Sequence, residues 1–158
     1  MISFCLLGWF AIGAYQDLTR LRVSNWVTLG GALAAALYLI VQGHSLSGAD
    51  PALALGAFVL GLLLSVPGYG LGKLGAADVK ALAALGLASD PQTLLYTLAL
   101  GSFVCLALML ASKLLIDSDK LPANCNSQLA KLQPSKFKSF PFIFALFAGL
   151  LTYMSFIQ

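Results

Sequence analysis

Long apolar runs separated by short polar breaks organise this chain. The apolar runs cover 1–16, 26–42, 52–66, 79–88, 94–116 and 140–157. The breaks carry helix-ending and turn-forming residues: Gly43-His44-Ser45 and then Asp50-Pro51, Pro67-Gly68, and Ser89-Asp90-Pro91. About 20 apolar residues rising 1.5 Å each cross the hydrocarbon core of a bilayer, so runs of this length read as membrane helices. The first run is short, at about 24 Å, and predicts a helix that continues through Asp17 toward Arg20. The fourth run is shorter still and predicts a helix starting near Ala76, with Asp78 in its first turn. The run 94–116 is long enough to cross with tilt, and 117–139 is the only sizeable polar segment. The pattern predicts an all-α, polytopic membrane bundle of about six transmembrane helices, forming one domain over 1–158. The first run lacks a basic start, so a cleaved signal peptide is not expected.

Composition agrees with the pattern and excludes a soluble domain. Hydrophobic residues make up 59% of the 158 positions and charged residues only 9%. Nine Lys and Arg stand against six Asp and Glu, a small excess whose placement carries the information. With six crossings, Arg20 and Arg22 fall in the first loop, Lys73 and Lys80 flank the third, and Lys113, Lys120, Lys131, Lys136 and Lys138 border or fill the fifth. Every basic residue thus lies on one side, which reads as cytoplasmic and puts both termini on the extracytoplasmic side. The excess gives no support to nucleic-acid binding. Cys5, Cys105 and Cys125 form no C-x-x-C pair, so neither a zinc site nor a redox site is expected. No metal or cofactor is called for.

Two acids in this apolar chain invite a functional reading. Asp17 closes the first run and Asp78 opens the fourth helix, and an acid at hydrocarbon depth is costly enough to mark a site. The topology puts both on the cytoplasmic side. Two carboxylates sharing a partly desolvated site cannot both ionise, so one keeps a proton while the other takes a proton from water attacking a peptide carbonyl. In the plainer reading, each Asp caps a helix or pairs with a neighbouring base, Arg20 or Arg22 for one and Lys80 for the other. A competing function uses the same acids as proton or cation sites of a small transporter or assembly subunit. Asn25 either orients Asp17 through its amide or caps the second helix, and Lys80 either biases Asp78 or snorkels at the interface. Gly30, Gly31, Gly56 and Gly61 suit close helix packing. Gly70-Leu71-Gly72-Lys73 is not a P-loop, because no Ser or Thr follows the lysine.

At these residues the sequence resembles the type IV prepilin peptidases, membrane aspartyl proteases of the GxGD class. The first aspartate of that family precedes a short segment ending in I-P-N or a variant, a layout matched by Asp17 through Val23-Ser24-Asn25. The second lies in G-x-G-D-V-K, matched by Gly75-Ala76-Ala77-Asp78-Val79-Lys80. Lys138-Ser139-Phe140-Pro141-Phe142 followed by Ala148-Gly149 is similar to the family's ending. The chain departs from the pattern with Ala77 for the second glycine, Ser24 for the proline before Asn25, and Phe144 for a second proline. The resemblance implies catalytic Asp17 and Asp78, with Asn25, Gly75, Ala77 and Lys80 in support. It also implies a prepilin or pseudopilin substrate cut at the cytoplasmic face of a bacterial inner membrane, among membrane lipids. The missing cytoplasmic domain places the chain nearest the short, peptidase-only Flp/Tad-type branch, without methyltransferase activity. Asp117 and Asp119 stand as contacts for a basic leader or as a solvated polar loop.

Overall fold

The computed structural model describes residues 2–20, 23–117 and 142–156, and all regular structure among them is helical. Six helices follow one another: α1 (Ile2–Arg20), α2 (Asn25–Gln42), α3 (Pro51–Gly70), α4 (Ala76–Ala88), α5 (Pro91–Asp117) and α6 (Phe142–Phe156). The expectations for Arg22, Asp119, Lys120, Cys125, Lys131, Lys136, Lys138, Phe140 and Pro141 lie outside the described residues, as do the side chains of Lys113 and Asp117.

Local chemistry sets the helix ends. Ser24 caps α2, its hydroxyl accepting the Trp26 N–H at 3.3 Å. Gly43 closes the same helix in the left-handed region at φ 71°, its N–H returning to the Leu39 carbonyl. Pro51 starts α3, where its missing N–H costs nothing. The expected stop at Pro67-Gly68 does not occur, and α3 runs on to Gly70. Proline withdraws one donor, but its carbonyl still accepts the Leu71 N–H at 3.0 Å, and an apolar setting favours keeping the remaining backbone bonds. The turn comes at Gly72, whose φ of 69° favours glycine.

Helix α4 forms the centre. Every residue from Ala81 to Ala88 is buried, as expected of a helix apolar on all sides. It packs mainly against α3 and α2, while α5 pairs with α6 and α1 lies on α6. Glycines permit the closest approaches. A Cβ at Gly61 would stand 2.8 Å from the Leu82 carbonyl oxygen, and one at Gly86 would collide with the backbone of Ala57 and Phe58. Across α5 and α6, a Cβ at Gly149 would meet the Thr97 carbonyl oxygen at 2.5 Å. The packing roles expected of Gly31 and Gly61 hold, Gly31 lying under the Trp9 ring. Gly30 and Gly56 instead face open space, because periodicity does not tell which side of a helix meets a neighbour.

The outer surface is apolar. Leu33, Ile40, Leu63 and Phe103 are each more than half exposed, which water would penalise and lipid tolerates. Within α2, α3 and α5, residues 25–42, 51–70 and 91–111 are long and apolar enough to cross a membrane. The 13 residues of α4 reach only about 20 Å, so its length by itself does not mark a crossing. Its burial inside the bundle accounts for its apolar character.

The connections gather into two clusters. At one end, the 43–50 connection meets the α4–α5 turn, with the Ser47 N–H on the Ala88 carbonyl at 3.2 Å and the Ser47 hydroxyl on Asp90 at 3.3 Å. The start of α2, the first turn of α4, the last turn of α1 and the start of α6 meet at the other, joined by the bonds described below.

Candidate functional site

Asp17 lies in the last turn of α1, only 6% exposed. Its Oδ2 accepts the backbone N–H groups of Ile143 at 2.9 Å and Phe144 at 3.2 Å, the first free amides of α6. A helix N-terminus presents unpaired donors and partial positive charge, so it suits a carboxylate. This partner is absent from the sequence reading, which offered Arg20 or Arg22. One signal pointed to it: Pro141 directly before an apolar run marks a helix start with orphan amides.

Asp78 occupies the first turn of α4, as the run lengths predict. Its Oδ2 accepts the Gly75 N–H at 2.9 Å, while its own N–H donates to the Gly75 carbonyl at 3.1 Å. The absence of a side chain at residue 75 makes room for this arrangement, since a Cβ there would stand 3.1 Å from the same carboxylate oxygen. Gly75 therefore acts through space rather than through backbone freedom, its φ being −79°. Ala77 lies within the first turn of α4, in a conformation alanine favours. The freedom a glycine would bring is not needed at this position in this fold.

The two acids lie at the same end of the bundle, the residues beside them both bonded to the start of α2. A small void just inside the bundle locates their convergence. Gly13, one turn before Asp17, and Ala81, one turn after Asp78, line the same cavity of about 10 Å³, together with Val27, Thr28 and Ile143. Residues one turn apart share a helix face, so the Asp17 face of α1 and the Asp78 face of α4 point toward a common space. The void is about the size of one water, its lining is largely apolar, and neither carboxylate lines it.

Asn25 and Lys80 meet each other. Lys80 Nζ donates to Asn25 Oδ1 at 2.9 Å, linking the first turns of α4 and α2. Asn25 is the first residue of α2 and Ser24 supplies the cap, so the capping role considered for Asn25 falls one residue earlier. Lys80 spends its hydrogen bond on Asn25 rather than on Asp78. Asp50 and Asp90 stand away from this cluster, Asp90 being held by Thr93 and Ser47. His44 also lies away from it, its Nδ1 3.0 Å from the Ser45 carbonyl oxygen. Among the described residues, no group of three or more His, Cys, Asp or Glu is placed to hold a metal ion.

A family model described as the type IV leader peptidase family matches residues 4–110. This span includes both aspartates, Asn25, Gly75, Ala77 and Lys80. No curated protein and no solved structure gives a significant match.

Proposed function

Because the chain belongs to the type IV leader peptidase family and is therefore a membrane protease, we propose that it is an aspartic endopeptidase that removes the leader of a prepilin or pseudopilin. Asp17 and Asp78 form its catalytic pair. The observation that carries the reading is the gathering of these two acids at one end of the bundle, where Gly13, one turn from Asp17, and Ala81, one turn from Asp78, line the same small cavity. With a single proton between them, the anionic member takes a proton from water as it attacks the scissile carbonyl. The protonated member gives its proton to the developing oxyanion. The member that took the water proton then passes it to the leaving amine, and as the intermediate collapses its hydroxyl returns a proton to the first acid, restoring the pair. The neighbouring exposed apolar surface suits a substrate whose hydrophobic segment lies in the membrane beside the cleavage point. The active end faces the cytoplasm of a bacterial inner membrane and both termini lie outside, a topology supported by the one-sided placement of Lys and Arg.

The test is coexpression of the full chain with candidate prepilins of the same genome, following leader removal by the mobility shift of the pilin. Wild type cleaves at least one candidate, whereas Asp17→Asn and Asp78→Asn do not. Cleavage by either variant at the wild-type rate would sink the paired-acid mechanism.

A further inference from the structure

The residues that flank the two aspartates reach the same short connector. Gln16, directly before Asp17, accepts the Ser24 N–H on its Oε1 at 3.0 Å. Lys80, just beyond Asp78, donates to Asn25 Oδ1 at 2.9 Å. Ser24 and Asn25 are neighbours held by the cap of α2: the Ser24 carbonyl accepts from Val27 at 3.0 Å and Thr28 at 3.2 Å. A continuous path therefore runs from Asp17 through Gln16, Ser24, Asn25 and Lys80 to Asp78. The hydrogen bonds of the acids themselves lead elsewhere, those of Asp17 to α6 and that of Asp78 to the start of its own helix. Neither bond ties one acid to the other.

We propose that Lys80 is a positioning residue that sets the separation of Asp17 and Asp78 by holding Asn25. Residues two apart on a helix do not face each other. Lys80 therefore reaches across to α2 while leaving the Asp78 carboxylate to Gly75 and to whatever enters the site. An ammonium group with a neutral amide partner makes a charge-assisted bond without adding a third carboxylate to the cluster. The connector acts as a strut, with Gln16 fastening one end and Lys80 the other.

The kinetic part of this inference rests on the protease reading, so its test begins with a measurement that needs no substrate. In full-length protein with Cys5, Cys105 and Cys125 replaced by Ser, Asp17→Cys and Asp78→Cys are linked in membranes by a short bifunctional thiol reagent. Linking proceeds readily with Lys80 or Lys80→Arg and severalfold more slowly with Lys80→Met. Equal rates for Lys80 and Lys80→Met, or no linking in the Lys80 background, would overturn the proposal. In the cleavage assay, Lys80→Met and Asn25→Leu each lower kcat about tenfold with KM unchanged, the scale of a slightly misplaced catalytic group. The double variant is no worse than either single one, because both remove the same bond, and Lys80→Arg, which keeps a cationic donor for Asn25, recovers most of the kcat lost in Lys80→Met. Additive losses or a change confined to KM would count against it. If wild type cleaves no prepilin, the protease reading fails on its own and the linking rates still decide the strut.

Discussion

Asp90 and Asp17 are both carboxylates at helix N-termini, at opposite ends of the bundle, and they do different work. Asp90 stands just before α5 and caps it locally. Its oxygens take the Thr93 N–H at 2.9 Å, the Thr93 hydroxyl at 2.7 Å and the Ser47 hydroxyl at 3.3 Å. Asp17 lies far in sequence from the helix it meets, accepting from Ile143 and Phe144 at the start of α6. One is chiefly a local cap, with Ser47 of the neighbouring connection added to it. The other is a tertiary bond that exists only when α1 and α6 pack together, and it leaves the acid on a helix face that shares a small cavity with the Asp78 face of α4. A carboxylate satisfied by its own helix needs no further explanation; one whose position requires the whole fold is a candidate for chemistry.

The largest effect separates the two acids most sharply. Asp17→Asn or Asp78→Asn lowers prepilin cleavage by about 10²–10⁴-fold, the usual contribution of acid–base catalysis, with the protein still folded because asparagine retains an accepting oxygen. Asp90→Asn leaves cleavage at the wild-type rate, and an equal loss there would erase the contrast. Next in size, Gly86→Leu forces α4 away from Ala57 of α3 and costs about 1–3 kcal/mol by overpacking, measured as detergent-solubilised stability. Gly56→Leu, facing open space, leaves stability unchanged. Gly75→Ala brings a Cβ to 3.1 Å from the Asp78 carboxylate and lowers kcat about tenfold, with little change in stability. The smallest effect belongs to the local cap: Asp90→Ala costs about 1 kcal/mol of stability with no change in cleavage. A loss of activity in that variant would show that the two ends are coupled.

Much of the site was legible because it rests on one-dimensional facts. The place of Asp78 in the first turn of α4 follows from a run too short to cross if it started at Val79, which puts the helix start near Ala76. Its common side with Asp17 follows from alternating loops and the placement of Lys and Arg, and the structure gathers the same segments at one end. Other features were not legible because they depend on which faces meet. Nothing in the composition of α6 tells that its first amides serve Asp17, nor that Lys80 turns to Asn25 rather than to Asp78. Among the glycines, Gly61 met its expectation and Gly56 did not, since both sit in equally apolar surroundings on one helix. Pro67 marks a different limit: a residue that breaks helices in water is carried through α3, where giving up more backbone bonds would cost more.

Apolar run lengths, turn residues and the distribution of Lys and Arg determine by themselves that this is a helical membrane protein with two acids near one end of its helices. These are properties of consecutive residues, read through the thickness of a bilayer and the cost of burying charge. Only the tertiary structure decided that α4 is the buried centre and that Asp17 is held by α6. It also decided that Lys80 and Asn25 join across the site. Each of these follows from side chains and amides far apart in the chain competing for the same few partners, and that competition is resolved only when the helices pack.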